Sequence, residues 1–281
     1  MQVVVISGLS GSGKSIALAV LEDAGYYCID NLPVKLLAEA CELIAQSGST
    51  RMAVAIDARS GDGLRNLPDH VESLRDAGLD ARLLFLDARD ETLMRRFSET
   101  RRRHPLATDD ATLEESLIRE RELLSAVAES ASVTRMDTSQ LHPNTLRAWI
   151  RDMLAVAPGR PTLMFESFGY KQGVPLDADM VFDVRVLPNP FYDPRLRPMT
   201  GRDRDVAEFL EKDPSVIKML ADIAAFVEAW LPSFARDNRS SLTVALGCTG
   251  GQHRSVFLAE RLAAHFRATS PVLVRHRQLP Q

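Results

Sequence analysis

The sequence predicts two α/β domains, of which the first is a parallel sheet with helices on both faces. Apolar, β-branched segments alternate with helical segments through the first half of the chain, as they do when crossover helices join parallel strands. A strand, a glycine-rich turn and a helix follow one another at 2–21 and again at 242–267. Between them, residues 157–161 hold two prolines and a glycine, which is typical of a linker. We therefore place the domains at 1–156 and 162–281.

The composition is that of a globular protein without a membrane span. Of 281 residues, 45% are hydrophobic and 26% are charged, which is enough for a full core. No run approaches about 20 apolar residues, and the N-terminus lacks the pattern of a signal peptide. Three cysteines, Cys28, Cys41 and Cys248, fit neither a disulfide framework nor a zinc site, so we expect a cytoplasmic protein. The net charge of -4 argues against a surface broadly built for nucleic acid.

The first glycine-rich turn matches the pattern G-x-x-x-x-G-K-[ST] of phosphate-binding loops. Its residues are Gly8, Leu9, Ser10, Gly11, Ser12, Gly13, Lys14 and Ser15. The glycines let successive backbone N–H groups point into one hollow, and the helix N-terminus adds partial positive charge. Lys14 is placed to contact the β and γ phosphates, and the Ser15 hydroxyl to ligate Mg²⁺. The pattern predicts a nucleotide site; the alternative is a structural turn with a chance lysine.

Three predicted strands end in a carboxylate that can organise the water shell of Mg²⁺. They are Asp30, Asp57 and Asp87. Asp30 could also meet a phosphoryl acceptor, or simply turn the chain into the next helix. By analogy with mononucleotide kinases, in whose sheets the strand after the second helix lies beside the P-loop strand, we favour Asp57, with Arg59 also facing the nucleotide. In catalysis, Lys14 would stabilise the transferring charge while Asp57 or Asp30 organises the metal shell.

The arginines between 95 and 103 lie where small P-loop kinases carry a lid. Arginine forks bind phosphate oxygens with two hydrogen bonds. The same arginines fit a solvated helix face, because glutamates at 99, 114, 115 and 120 offer partners. If they form a lid, with Asp30 near an acceptor, the chain is a small-molecule kinase. A strand at 133–137 and a helix at 144–156 complete the domain.

The second half begins with predicted strands at 162–169 and 180–186 and a helical region at 206–234 that breaks near Asp213. The glycine-rich turn at 247–255 then predicts a second anion pocket by the same physics as the first. Its candidate anion contacts are the side chains of Thr249, His253, Arg254 and Ser255.

An alternative for this turn is catalytic. Cys248 and Arg254 have the Cys-x5-Arg spacing of the phosphatase loop in which a thiolate attacks phosphorus. Gly247, however, occupies the place where that loop usually has histidine. A tight turn without any ligand is the remaining possibility.

Several blocks of the sequence together resemble one protein family. In chain order they are 8–15, 30–33, 165–169, 182–185, 187–190, 197–201 and 247–255. The set covers nearly the whole chain and is similar to that of the RapZ/YvcJ nucleotide-binding proteins. The resemblance implies a P-loop kinase-like domain that binds and slowly hydrolyses ATP and GTP. It also implies a C-terminal domain similar to a phosphofructokinase subdomain, and a homo-oligomer, expected to be a tetramer.

The resemblance carries roles onto particular residues. The ATP site falls on 8–15, and a GTP-contacting segment falls on Asp57, Ala58, Arg59 and Ser60. In members that act as RNase adapters, the C-terminal domain binds a small regulatory RNA and glucosamine-6-phosphate and presents the RNA to an endoribonuclease. The sugar-phosphate pocket falls on Asp183, Thr249, Gly250, His253 and Arg254.

The chain departs from the adapter members at two places. They have a histidine where this chain has Phe191, which changes one pocket contact. They also end in a lysine-rich tail, whereas this chain carries only Arg267, Arg275 and Arg277 near its end. We expect these three arginines to contact RNA phosphates. The alternative is a solvated helix end followed by a frayed tail.

Overall fold

The chain forms two α/β units, each built on a parallel sheet, and this confirms the predicted fold class. The computed structural model describes residues 1–155, 162–236 and 241–279. The two units are Met1–Arg151 and Asp152–Gln281. The predicted linker at 157–161 lies outside the described residues.

The helices and strands of the first unit, with α6 crossing its end, are β1 (Gln2–Gly8), α1 (Lys14–Asp23), β2 (Tyr27–Ile29), α2 (Leu37–Gln46), β3 (Arg51–Ala55), α3 (Leu67–Asp76), β4 (Asp80–Asp87), α4 (Asp90–Thr100), α5 (Leu113–Glu129), β5 (Val133–Asp137) and α6 (Pro143–Ala155). Those of the second unit are β6 (Thr162–Gly169), β7 (Met180–Asp183), α7 (Arg204–Glu211), α8 (Pro214–Arg236), β8 (Ser241–Cys248), α9 (Arg254–Phe266) and β9 (Val272–His276). Within the described ranges, no helix combines the length and hydropathy needed to cross a bilayer.

The first sheet has the strand order β2-β3-β1-β4-β5, and every pair is parallel. All residues of β1 after Gln2 are buried, because a central strand of a parallel sheet is covered on both faces. Its neighbours β3 and β4 end at the same edge, where the P-loop begins. The prediction that β3 lies beside the P-loop strand is therefore confirmed, although β4 lies there as well.

The second sheet has the order β7-β8-β6-β9 and is also parallel. The helical region is broken where the sequence predicts, since Pro214 begins α8 and the Asp213 carboxylate accepts the Ser215 N–H at 2.8 Å. Proline fits the first turn of a helix but cannot continue one.

Two strands of this sheet differ from the sequence prediction. β7 ends at Asp183 rather than at residue 186, because the Asp183 carboxylate accepts the Arg185 N–H at 2.9 Å and turns the chain. β9 was not predicted. It pairs with β6, where we had expected a solvated or RNA-binding tail.

Gly8 joins β1 to the P-loop at a point where the backbone leaves no room for a side chain. Its φ is 136°, and a Cβ atom there would lie 2.1 Å from the carbonyl oxygen of Leu86. We expect Gly8→Ala to lower the free energy of unfolding by about 3 kcal/mol, because backbone strain and steric overlap both act. Gly25→Ala is the matched control, since Gly25 has a φ of 82° but open space around it, and should cost about 1 kcal/mol. Urea unfolding compares the two; equal losses would contradict the close approach at Gly8.

Candidate functional site

The first candidate site is the P-loop, between β1 and α1 at the carboxyl edge of the first sheet. Among the described residues, the backbone N–H groups of Gly11, Gly13, Lys14 and Ser15 have no intramolecular acceptor. No side chain caps the N-terminus of α1 either. Adjacent free N–H groups at a helix N-terminus attract an anion. The arrangement therefore suits the oxygens of a phosphate group.

Lys14 lies inside this turn. Its Nζ atom donates to the carbonyl oxygens of Gly8 at 2.6 Å and Leu9 at 3.1 Å. Burial lowers the pKa of Lys14 below its usual value, and the surrounding carboxylates oppose that shift. An ammonium group makes stronger hydrogen bonds to an anion than to neutral carbonyl groups. A polyphosphate is therefore a better partner for Lys14 than the loop backbone.

Two of the three predicted carboxylates, Asp57 and Asp30, act electrostatically on Lys14. Asp57 is buried and accepts a hydrogen bond from Nη2 of Arg59 at 2.7 Å. Burial raises the pKa of Asp57, but the hydrogen bonds from Arg59 and the charge of Lys14 outweigh it and hold the pKa below its usual value. Asp87 instead forms ion pairs with arginines on α5 and β5. Because Asp57 lies near Lys14 and Asp87 is held by these arginines, we favour Asp57 over Asp87 as the carboxylate near bound phosphate.

The other residues of the predicted GTP segment contribute unequally. The side chain of Arg59 is 55% exposed, and its charge also acts on Lys14. Ala58 is buried, so its side chain offers no exposed contact. Ser60 is half-buried, and its N–H donates to the Asp57 carbonyl oxygen at 3.0 Å in a turn.

Arg96 is the arginine of the predicted lid that reaches the P-loop. Its Nη1 donates to the carbonyl oxygen of Gly11 at 2.9 Å, and its Nη2 to that of Thr138 at 2.6 Å. Arg95 and Arg103 pair with exposed acidic side chains of their own segment, as arginines on a solvated surface do.

Besides Arg96, two further residues outside the motif bond to the P-loop, and the sequence did not indicate either contact. Glu120, expected as a surface partner for the lid arginines, is buried and accepts the N–H of Ser10, 110 residues away. The hydroxyl of Thr138 donates to the carbonyl oxygen of Ser12, 126 residues away. No local motif marks contacts at such separations. One signal could have indicated that Glu120 is buried: it lies among the residues that form the buried face of α5.

The second candidate site is the turn between β8 and α9. Arg254 begins α9 and is 4% exposed. Its Nη1 donates to the carbonyl oxygens of Arg185 at 2.7 Å and Leu187 at 3.0 Å, and its Nη2 lies 3.4 Å from Oγ1 of Thr249. Its buried Nε has no acceptor in the part of the chain that the structure describes. Because an unpaired buried donor is costly, this atom can accommodate one more acceptor.

Asp183 and Arg185 lie at the end of β7, beside the same turn. The Asp183 carboxylate accepts from Nη2 of Arg185 at 2.7 Å, and the Arg185 guanidinium lies 4.1 Å from the ring centroid of Tyr170. The hydrogen bonds from Arg185, together with the charge of Arg254, hold the pKa of Asp183 below its usual value. Four predicted pocket residues therefore lie around one turn: Asp183, Thr249, Gly250 and Arg254.

His253 is directed elsewhere. Its ring is buried, and its Nε2 lies 3.2 Å from the carbonyl oxygen of Leu196. Burial lowers the pKa of His253 below its usual value, so the ring is predominantly neutral at pH 7. The structure thus uses this ring to hold the loop before α7 and does not bring it to the open side of the turn.

Cys248 lies beneath the turn and is 3% exposed. Its Sγ accepts the N–H of Gly251 at 3.2 Å and lies 3.2 Å from Oγ of Ser255. Burial raises the pKa of this thiol, but the hydrogen bonds and the charge of Arg254 outweigh it and lower the pKa overall. A nucleophilic thiolate also needs an open approach to its substrate. The burial of Cys248 does not provide one, and the phosphatase alternative loses support.

The burial of Arg275 and Arg277 does not support the prediction that these two side chains contact RNA. Arg275 is 2% exposed within β9. The side chain of Arg277 is 3% exposed, and its Nη1 lies 2.9 Å from Oε1 of Glu166. A guanidinium group that is buried against a carboxylate cannot neutralise an RNA phosphate. Arg267, just after α9, is exposed.

Glu166 makes the stability of this unit depend on pH. Complete burial and the charge of Asp177 raise its pKa from 4.5 to about 7, against the opposing arginines. A carboxyl group whose pKa is raised in the folded state stabilises it most below the unfolded pKa, and this contribution is lost as the pH rises through about 7. As the pH rises from 4.5 through about 7, we therefore expect the free energy of unfolding of the unchanged chain to fall relative to that of Glu166→Gln. Urea unfolding at several pH values measures the difference; a constant difference would contradict the shift.

Comparisons with known proteins identify both units. The model of the RapZ-like N-terminal domain matches residues 1–157, and the model of the RapZ C-terminal domain matches residues 161–280. A nucleotide-binding protein of Aromatoleum aromaticum is 62% identical over 278 residues, which cover 99% of this chain and 94% of that protein. A nucleotide-binding protein of Thiobacillus denitrificans is 58% identical over 279 residues, which cover 99% of this chain and all of that protein.

Solved structures show a weaker likeness, confined to about half of the chain. A sugar kinase from Janibacter sp. has a TM-score of 0.40 and 20% identity, covering 56% of this chain and 96% of that chain. Shikimate kinase from Bacteroides thetaiotaomicron has a TM-score of 0.35 and 13% identity, covering 54% of this chain and 97% of that chain. At these scores the likeness carries no inference about activity. The domain matches and the relatives, however, span the whole sequence, and the chain belongs to the RapZ family.

Proposed function

We propose that the first unit binds ATP or GTP with Mg²⁺ at the P-loop and slowly hydrolyses it. The observation that carries this proposal is the set of four N–H groups, those of Gly11, Gly13, Lys14 and Ser15, that have no acceptor among the described residues. The names of the relatives, which call them nucleotide-binding proteins, support the same conclusion. The residues also fit a Mg²⁺-bound nucleotide, because a hydroxyl at Ser15 and a buried carboxylate at Asp57 offer the oxygen ligands that Mg²⁺ prefers.

In this proposal Lys14 leaves the carbonyl oxygens of Gly8 and Leu9 and donates to oxygens of the β and γ phosphates. Water attacks the γ phosphorus and the bond to the bridging oxygen breaks. The oxygen of the water stays on the released inorganic phosphate, the surplus proton passes to solvent, and the nucleoside diphosphate leaves with the charge that Lys14 stabilises. Mg²⁺, held by Ser15 and through water by Asp57, would neutralise phosphate charge. Because Arg59 lowers the pKa of Asp57, this carboxylate is a weak base for the attacking water. A weak base at this position agrees with slow hydrolysis.

We propose that the second unit senses a phosphorylated amino sugar, such as glucosamine-6-phosphate. Nε of Arg254 and the hydroxyl of Thr249 supply donors for a phosphate, and the backbone of Gly250 allows it to approach closely. Asp183 supplies an acceptor for the ammonium or hydroxyl groups of the sugar. Family membership extends the proposal to a cytoplasmic homo-oligomer, expected to be a tetramer. It also extends it to an adapter role in amino-sugar metabolism, with a small RNA and an endoribonuclease as partners. Among the predicted RNA contacts, the exposed Arg267 supports that role.

One experiment separates this function from the small-molecule kinase alternative. The full chain is incubated with Mg²⁺ and ATP labelled on the γ phosphate, with and without a pool of sugars and other hydroxylated metabolites. The proposal expects slow, Mg²⁺-dependent release of label as inorganic phosphate, unchanged by the pool. Label in an organic phosphate would support the kinase, and no binding of nucleotide at all would exclude both.

A further inference from the structure

The P-loop is held on its outer side by side chains that do not belong to its motif. Three consecutive loop residues are fixed in this way, each by a hydrogen bond to the backbone. The pairs are Glu120 with Ser10, Arg96 with Gly11 and Thr138 with Ser12. We call Arg96, Glu120 and Thr138 the outer clamp. They come from α4, α5 and the loop after β5.

Glu120 is fully buried, and its carboxylate accepts the Ser10 N–H at 2.9 Å and the Ser10 hydroxyl at 2.7 Å. Nε2 of His104 lies 3.1 Å from the same carboxylate, and Nδ1 of His104 accepts the N–H of Leu106 at 3.1 Å. Because Nδ1 is an acceptor, Nε2 carries the proton and donates to Glu120. The carboxylate is therefore held between the P-loop and the segment before α5.

Thr138 is also fully buried. Its hydroxyl oxygen lies 2.8 Å from the carbonyl oxygen of Ser12 and 3.0 Å from that of Asp87. Nη1 of Arg96 donates to the same hydroxyl at 3.2 Å and to the carbonyl oxygen of Gly11 at 2.9 Å. These bonds tie the P-loop to the carboxyl ends of β4 and β5.

The clamp determines which way the loop amides point. In a trans peptide plane, the C=O of one residue and the N–H of the next point in opposite directions. Thr138 draws the carbonyl group of Ser12 to the outside, so the N–H of Gly13 points to the inside. That N–H is one of the four without an intramolecular acceptor in the described ranges.

The same rule applies at the other end of the loop. Glu120 draws the N–H of Ser10 to the outside, so the carbonyl group of Leu9 points to the inside. There it accepts Nζ of Lys14 at 3.1 Å. The clamp thus fixes one peptide plane on each side of Gly11.

We propose that the outer clamp sets the affinity of the P-loop for nucleotide by fixing these peptide planes before binding. The clamp residues are positioning residues, because they touch the loop backbone from the side away from the amides that would bind phosphate. Donors that are already oriented bind an anion more tightly, since no ordering cost is added on binding. The inference rests on the proposed nucleotide site.

Thr138→Val tests the inference by removing one hydroxyl group. The probe is ADP with Mg²⁺, which is titrated calorimetrically into the full chain at a temperature well below its unfolding midpoint. Thermal unfolding is measured separately, without nucleotide. We expect the dissociation constant to rise about tenfold, the usual effect of one hydrogen bond. Thr138→Ser keeps the hydroxyl and should stay within about twofold of the unchanged chain.

Thr92→Val is the matched control. Thr92 is also buried, and its hydroxyl donates to the carbonyl oxygen of Ser139 at 3.2 Å, next to Thr138 but without contact to the P-loop. It should lower the unfolding midpoint while leaving the affinity for ADP unchanged. Equal affinities of Thr138→Val and Thr92→Val would overturn the inference.

The remaining outcomes are also distinguishable. If Lys14→Ala binds ADP as tightly as the unchanged chain, the nucleotide site itself is wrong, and the inference fails with it. If Thr138→Val does not fold, His104→Ala and His104→Gln decide, because glutamine keeps an N–H donor for Glu120 and alanine does not. The inference expects only the alanine variant to lose affinity, and equal affinities of these two variants would overturn it.

Discussion

Lys14→Ala is expected to weaken binding of Mg²⁺-ATP about a hundredfold. Charge-assisted hydrogen bonds to two phosphate groups are lost together, and each tenfold loss corresponds to about 1.4 kcal/mol. The hydrolysis rate at saturating ATP should fall by a further factor of about a hundred, because the leaving diphosphate loses a preorganised cation. Titration calorimetry measures the affinity, and phosphate release measures the rate.

Lys35→Ala is the control for this variant. Lys35 is an exposed lysine of the same unit, so its loss changes the net charge by the same amount without touching the P-loop. Its affinity for ATP should equal that of the unchanged chain. If Lys14→Ala retains full affinity and full hydrolysis, the P-loop is not the nucleotide site.

Arg254→Ala is expected to weaken binding of glucosamine-6-phosphate by about thirtyfold or more. In the proposed site the guanidinium donates to the phosphate through Nε, the donor that has no acceptor among the described residues, and a charged hydrogen-bonding group in such a place contributes about 2 kcal/mol. Arg254→Lys keeps the charge but loses the fork of donors, so its loss should be intermediate. Equilibrium titration of the sugar phosphate into the full chain measures both.

Arg195→Ala is the control in this unit. The side chain of Arg195 is 85% exposed and pairs with Asp193, so its removal should leave the affinity unchanged. The unfolding midpoints of the variants must also be compared, because Arg254 holds the carbonyl groups of Arg185 and Leu187. A folded Arg254→Ala protein that binds the sugar phosphate normally would contradict the second site.

The features that depend on local chemistry could be predicted from the sequence. β1 is an apolar run followed by glycines, and the break before Pro214 follows from proline's missing N–H group. The P-loop motif also states which residues lie at the turn. β7 was predicted too long because a single side chain, that of Asp183, bonds to the backbone and ends the strand.

The rest depends on contacts between distant parts of the chain. Arg275 and Arg277 read as surface charges, but β9 brings them against Glu166 on β6, and only the folded sheet reveals that pairing. Glu120 likewise reads as a surface glutamate until α5 places it against the P-loop. A charged residue at a buried position of a helix is therefore a signal for a distant polar partner.

The central claim is that the chain carries two separate phosphate sites, one in each unit. Its most direct test is a titration of Mg²⁺-ADP into the full chain with and without saturating glucosamine-6-phosphate, followed by the same titrations with Lys14→Ala and Arg254→Ala. We predict that both ligands bind at once, that Lys14→Ala loses only ADP, and that Arg254→Ala loses only the sugar phosphate. Mutually exclusive binding, with both ligands lost in the same variant, would contradict it.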